Sequence, residues 1–253
     1  MNTFYLTTPI YYINGLPHIG HTFTTVLTDV IARYHRLFGE DVFFLTGTDE
    51  HGQKAERASR ELGITPREMA DRIAGPSREL WKKLNIEFSD FIRTTEKRHY
   101  ESVSEIWERC RKNGDIYLGD YEGWYCTFDE AFWAEDELVE GNCPDCGRKA
   151  ERIREQSYFF RLSKFQEPLL KFYRENPSFI VPKTRFNEVI RFVEGGLRDL
   201  SLSRLKLKWG IPVPNDPNHV IYVWFDALTN YITGVGFPIN KESFEHYWPA
   251  NLH

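Results

Sequence analysis

Apolar and polar positions along the chain separate into short bulky runs and longer periodic stretches. Thr3-Phe4-Tyr5-Leu6-Thr7 is a bulky run of strand length, and Val42-Phe43-Phe44-Leu45-Thr46 has the continuous apolar character of a strand buried on both faces. Between them Phe23, Leu27, Val30, Ile31, Tyr34, Leu37 and Phe38 recur at helical spacing, and Gly39 is placed to end that helix. Strand, helix and strand of these lengths predict a βαβ unit with parallel strands. Residues 53 to 114 read as three charged helical segments, interrupted at Gly63-Ile64-Thr65-Pro66 and between Asn85 and Thr95. Lys164 to Glu175 and Arg185 to Arg198 read as two amphipathic helices, and Val220-Ile221-Tyr222-Val223-Trp224-Phe225-Asp226 reads as a further buried strand.

The turn between the first strand and the first helix carries the candidate chemistry. Asn14, Gly15 and Pro17 are turn formers, and His18 and His21 then fall three apart on one face of the first helical turn. Both imidazoles can face one ligand. Unpaired backbone N–H groups and the positive end of the helix dipole favour an anion there, with a phosphate chain as the obvious candidate. Gly20 lets a flat ring or a backbone come close. The second strand delivers Gly47-Thr48-Asp49-Glu50-His51-Gly52, and open α/β sheets bind ligands beyond the carboxyl ends of their strands, so Asp49 is expected to share a cleft with His18. Read without further context, Asp49 is a cap for the helix near Gly52. The two histidines alone fit a surface helix start as well as they fit catalysis.

Composition narrows the class. A chain of 253 residues with 41% hydrophobic and 15% aromatic content can bury a large core. The amino terminus has no basic segment ahead of an apolar core, and no apolar run is long enough to cross a bilayer, so a soluble, cytoplasmic protein with no membrane partner is expected. A net charge of −5 provides no global attraction to nucleic acid. The charge is unevenly distributed. Between Asp115 and Glu151 there are eleven acidic side chains against two basic, broken by Gly119, Gly123, Gly141 and Gly147, which places a boundary near Asp115. From Arg161 to Lys208 the balance reverses to eleven basic against five acidic. Four cysteines suit a reducing compartment. Cys143-Pro144-Asp145-Cys146-Gly147 is a knuckle whose two thiolates can grip one zinc ion, with Cys126 as a third ligand; Cys110, amid Ile106 and Trp107, reads as a packing residue.

His18-Ile19-Gly20-His21 resembles the H-I-G-H signature of class I aminoacyl-tRNA synthetases, and Pro9-Ile10-Tyr11-Tyr12-Ile13-Asn14-Gly15 resembles the methionyl members of that family. The similarity continues through Trp209-Gly210-Ile211-Pro212 and Tyr222-Val223-Trp224-Phe225-Asp226-Ala227 to Trp248-Pro249-Ala250-Asn251-Leu252-His253. It implies an α/β fold: a Rossmann-like nucleotide-binding domain with a parallel sheet, incomplete in this chain, and an inserted connective-peptide domain carrying a zinc-knuckle-like element. Residues 1–114 and 207–253 would belong to the catalytic domain and 115–206 to the insertion. No counterpart of the family's K-M-S-K-S loop is found, so the resemblance covers an amino-terminal catalytic portion, expected to be poorly active alone.

The same resemblance implies methionine–tRNA ligation, with L-methionine, ATP accompanied by Mg2+, and tRNA(Met) as partners. His18 and His21 would be catalytic, and with Gly20 they would bind ATP. Ile10, Tyr12, Asp49, Trp224, Ala227 and Tyr231 would hold methionine, Asp49 receiving its ammonium group. A structural Zn2+ would be held by Cys126, Cys143 and Cys146, with Asp129 in the fourth place, where zinc-bearing relatives commonly have a cysteine. The basic stretch from Arg161 to Lys208 would lie under the tRNA acceptor stem. Two alternatives stand beside this reading, the second from a different class. A small nucleotidyltransferase uses a similar H-x-G-H turn without the insertion, and a noncatalytic tRNA-binding protein would be derived from a synthetase.

Overall fold

The computed structural model describes residues 2–128, 131–133, 135–205 and 207–253. The chain opens with β1 (Thr3–Thr7) and β2 (Tyr11–Tyr12), then α1 (Ile19–Leu37) and β3 (Asp41–Asp49). Next come α2 (Gln53–Glu61), α3 (Pro66–Lys83), β4 (Asp90–Arg93) and α4 (Lys97–Lys112). β1, β2 and β4 all pair in parallel with β3, β1 and β2 lying end to end along its one side and β4 along the other. The βαβ expectation therefore holds. Leu6 also forms a parallel bridge to Leu252, so the sheet is extended on the outer side of β1.

Successive residues of a strand face opposite sides, and both faces are covered. Leu6 and Phe44 pack with Ala32, Trp81 and Phe91 under α1 and α3, whereas Tyr5 and Leu45 pack with Ile92 and Val235 on the other face. Gly47 is what allows β4 to approach, since a Cβ there would lie 2.0 Å from the Ile92 carbonyl oxygen. β4 sits inside the stretch from Asn85 to Thr95 that periodicity reads only as an interruption; four residues are too few to declare a period of two.

Helix α1 departs from expectation in its orientation. Its buried residues are Thr25, Thr28, Asp29 and Ala32, whereas Phe23, Leu27, Val30, Tyr34, Leu37 and Phe38 are exposed, Leu37 at 84%. Of the predicted stripe, Ile31 reaches the core. The polar buried face is satisfied: the Asp29 carboxylate accepts the Glu87 backbone N–H at 2.8 Å and pairs with Arg33 at 2.6 Å.

From residue 116 the strands become antiparallel. β5 (Ile116–Cys126), β6 (Ala131–Trp133) and β7 (Glu151–Phe160) are followed by α5 (Gln166–Glu175), α6 (Lys183–Glu194) and β8 (Leu200–Ser201), the strands lying in the order β6-β5-β7-β8. β9 (Ser203–Arg204), β10 (Pro212–Val213) and β11 (Asp216–Ile221) form a second antiparallel sheet. The chain then turns helical in α7 (Val223–Leu228), α8 (Asn230–Gly234) and α9 (Lys241–Tyr247). The strand expected to run to Asp226 stops at Ile221, because the Phe225 and Asp226 N–H groups bond back to the Tyr222 carbonyl and start a helix. A short apolar run does not distinguish these two outcomes.

Candidate active site

His18 is the N-cap of α1, with extended backbone. The Gly20 N–H donates to His18 Nδ1 at 3.1 Å, and the His18 N–H donates to His21 Nδ1 at 3.3 Å. Each ring thus accepts at Nδ1, so in the neutral imidazole the proton sits on Nε2, the remaining donor. Burial, with the neighbouring His18 second, holds His21 below the ordinary imidazole value, which keeps it neutral at pH 7. A Cβ on Gly20 would stand 2.9 Å from His18 Cε1 and displace that ring. Two N–H donors at a helix start are suited to anionic oxygens.

Tyr11 connects this turn to the sheet. Its ring lies 4.5 Å from that of His21, and its hydroxyl meets Thr25 Oγ1 at 2.8 Å. The next residue, Tyr12, is paired with Asp49 across β2 and β3. Here a cavity of about 180 Å³ is lined by Ile10, Tyr12, Asp49, Trp224, Ala227 and Tyr231, together with Pro9, Val223, Leu228 and Asn230. All six residues expected to hold methionine meet in it. The volume is below the roughly 300–1,000 Å³ of drug-sized sites and is on the scale of one amino acid. Asp49 is buried, while Trp224 is 51% exposed, so the aromatic wall is backed by protein on one side only. Burial, opposed by a hydrogen bond from Asn230 and assisted by the charge of Asp49, pushes the Tyr231 hydroxyl up. His18, Gly20 and His21 do not line the cavity, and neither does Tyr11, which packs in the core beneath α1.

A family model described as tRNA synthetases class I (M) matches residues 4–155 and 146–253. The chain belongs to the methionyl class I tRNA synthetase family. A methionine–tRNA ligase of Caldanaerobacter subterraneus subsp. tengcongensis is 55% identical over 252 residues, 99% of this chain and 40% of the relative. One from Rickettsia bellii is 53% identical over 251 residues, 99% of this chain and 49% of the relative. Among solved structures, Mycobacterium tuberculosis methionyl-tRNA synthetase in complex with methionyl-adenylate matches with a TM-score of 0.95 and 49% identity, covering 100% of this chain and 51% of that one. The chain thus spans about two fifths to half the length of these relatives.

In this synthetase-family chain the three knuckle cysteines converge. The Sγ atoms of Cys126, Cys143 and Cys146 all lie within 4.8 Å of one another, Cys126 and Cys146 at 3.5 Å, and no disulfide joins any of the four cysteines. Tetrahedral zinc with bonds of about 2.3 Å needs sulfurs about 3.8 Å apart, so the cluster fits the ion. The turn is built by the Cys143 N–H donating to the Arg148 carbonyl and the Gly147 N–H to the Cys143 carbonyl, with Gly147 at φ 69°. Asp129, the expected fourth ligand, lies outside the described residues.

The supports of the acidic loop lie far from it in the sequence. Glu50 is fully buried beside Asp49 and is held by Arg93 Nε at 2.6 Å and Thr48 Oγ1 at 2.7 Å. Trp209 Nε1 donates to the Glu50 carbonyl at 2.5 Å, so the Trp-Gly-Ile-Pro segment clamps this loop. Glu50 next to Asp49 in the sequence was a signal; its partners 43 and 159 residues away were not. A separate cleft of about 950 Å³ opens beside β5, β7 and α6, lined in part by aromatic side chains such as Trp124 and Trp133, and by four arginines matched by four acidic residues, Arg152 pairing with Glu122 and Arg198 with Glu137.

Proposed function

We propose that the protein bearing this chain is a methionine–tRNA ligase, which activates L-methionine with ATP and transfers it to tRNA(Met). The observation that carries this reading is the amino-acid-sized cavity lined by buried Asp49 and by Tyr12, Trp224 and Tyr231, in a chain whose first long helix starts on two histidines that each accept at Nδ1. In the first step a methionine carboxylate oxygen bonds to the α-phosphorus of ATP, the bond from that phosphorus to the bridging oxygen breaks, and pyrophosphate leaves. The attacking carboxylate is already ionised, so no general base is required. His18 and His21 donate from Nε2 to phosphate oxygens as charge shifts, and the dipole of α1 adds to them. Gly20 keeps the approach to His18 clear. Asp49 pairs with the substrate ammonium, and Ile10, Tyr12, Trp224, Ala227 and Tyr231 enclose the thioether, a polarizable group suited to aromatic contact. The terminal ribose hydroxyl of tRNA then attacks the acyl carbon and AMP departs.

The remaining assignments belong to the same proposal. Mg2+ enters with ATP. Cys126, Cys143 and Cys146 would hold a structural zinc, and Asp129 is the sequence's candidate for the fourth ligand, inside a connective-peptide insertion at 115–206 between Rossmann-like segments 1–114 and 207–253. The aromatic lining of the 950 Å³ cleft suits a single-stranded tRNA end, which binds by stacking; its four arginines are balanced by Glu122, Glu135, Glu137 and Asp199, so stacking and not net charge carries this assignment. Charging of tRNA places the protein in the cytoplasm. The test is methionine-dependent exchange of pyrophosphate into ATP by the full-length protein that bears this chain: exchange with methionine above all other amino acids is expected, and exchange with a different amino acid, or with none, overturns the assignment.

A further inference from the structure

The Asp226 carboxylate is fully buried where three elements meet. His51, on the loop after β3, reaches Asp226 Oδ2 through Nδ1 at 2.6 Å, and His99 of α4 reaches Oδ1 through Nε2 at 2.7 Å. Behind them stand the Tyr100 hydroxyl, 3.1 Å from His51 Nε2, and Thr233 Oγ1 of α8, 3.3 Å from His99 Nδ1. Burial by itself would raise the Asp226 carboxyl, but the charge of His51 and hydrogen bonds from both histidines outweigh it and hold the group at about 2.

A buried carboxylate between two imidazoles is costly to desolvate, and none of the three residues lines the amino-acid cavity. Their placement suggests what they do. Helix α7 has six residues, far too few for stability of its own. Trp224 and Ala227, three apart, line the cavity, while Asp226 turns into the interior. The outer side of α7 is poorly held because Trp224 is half exposed. Its position must therefore be set from within, and Asp226 ties it to His51, two residues beyond Asp49.

We propose that Asp226 is a positioning residue of the amino-acid site: clamped between His51 and His99, it sets the distance from the α7 wall to the Asp49 loop and thereby which side chains the cavity accepts. This rests on the reading of that cavity as the methionine site.

The test uses the whole chain with Asp226→Asn and His99→Phe, which each remove one arm of the clamp, and His99→Gln, which keeps an N–H donor. Amide hydrogen exchange is followed at Phe225, Asp226 and Thr229, whose N–H groups bond within or at the ends of α7, and in β1 and β3. Affinities for methionine and norvaline are measured by calorimetry at a temperature where each variant is folded. Loss of an arm should speed α7 exchange about tenfold or more while β1 and β3 keep their protection. The methionine-to-norvaline affinity ratio should fall at least about threefold, and His99→Gln should restore most of both effects. Unchanged α7 exchange, equal loosening of all three elements, or an unaltered ratio would each overturn the proposal. Should the unmodified chain bind neither amino acid, the methionine assignment of the cavity fails, and the exchange pattern alone decides whether Asp226 positions α7.

Discussion

The rings of His18 and His21 stack with centroids 3.8 Å apart and planes 21° apart, each turning Nδ1 to a backbone N–H of the helix start. Capping thus occupies Nδ1 of each ring and leaves Nε2 for the phosphate donation proposed above. His18→Ala or His21→Ala should lower the rate of methionine activation by a few hundredfold, about 3 kcal/mol, with a much smaller effect on methionine binding. An asparagine can replace the Nδ1 acceptor but not the distal donor, whereas a glutamine can supply an N–H near Nε2. In a pyrophosphate-exchange assay Gln variants should therefore retain more activity than Asn variants; the reverse order would assign the histidines to capping alone.

Burial and His18 depress the proton affinity of His21 in the folded chain, and burial does the same for His253. The unfolded chain then binds protons more readily, so stability is unaffected above the ordinary imidazole value of 6.5 and declines as pH falls below it. Thermal unfolding at a series of pH values should show that decline, and His21→Gln should make it shallower without abolishing it, because His253 remains. An identical slope in His21→Gln would show that His21 titrates as it does in the unfolded chain.

Metal analysis of chain purified without chelator should find close to one zinc. Removing it should open Cys126, Cys143 and Cys146 to a thiol reagent. Cys110, whose thiol is pushed up by burial and by Asp115, should stay slow. Metal content near zero with the three thiols still protected would show a knuckle held by packing alone.

The exposed stripe of α1 makes a stability prediction opposite to the one its periodicity suggests. Leu27→Ser and Val30→Ser should each change the free energy of unfolding by no more than about 0.5 kcal/mol, as for other surface sites. Phe44→Ala, in the core beneath that helix, should cost about 3–5 kcal/mol. Denaturant titration of the three variants decides between the two orientations.

Ala227 and Asp49 should affect selection in different ways. Ala227→Leu fills the cavity and should penalise methionine more than the shorter norvaline, by roughly 1–3 kcal/mol per methylene at most, and by less where the exposed Trp224 swings outward. Asp49→Asn should weaken all amino acids alike, since they share the ammonium group. The readout is the ratio of activation efficiencies for the two amino acids. A ratio untouched by Ala227→Leu would remove that residue from the side-chain site.

The features legible in the sequence are those determined over short distances. The turn at Asn14-Gly15-Pro17 and the three-residue spacing of His18 and His21 dictate two rings at one helix start, whatever the rest of the chain does. The run of β1, α1 and β3 admits hardly any arrangement other than a parallel pair, and the Cys143–Cys146 spacing brings two thiols together locally. The tertiary structure decided what local periodicity leaves degenerate. Periodicity shows that α1 has an apolar side but not which side the sheet takes, and here the sheet takes Thr25, Thr28, Asp29 and Ala32. Val220 to Asp226 fits strand or helix equally until Tyr222 accepts from the N–H groups that follow it. Asp226 meets a histidine 175 residues earlier, and no pattern within either segment announces that contact; it exists only because the folded sheet brings the end of β3 against α7.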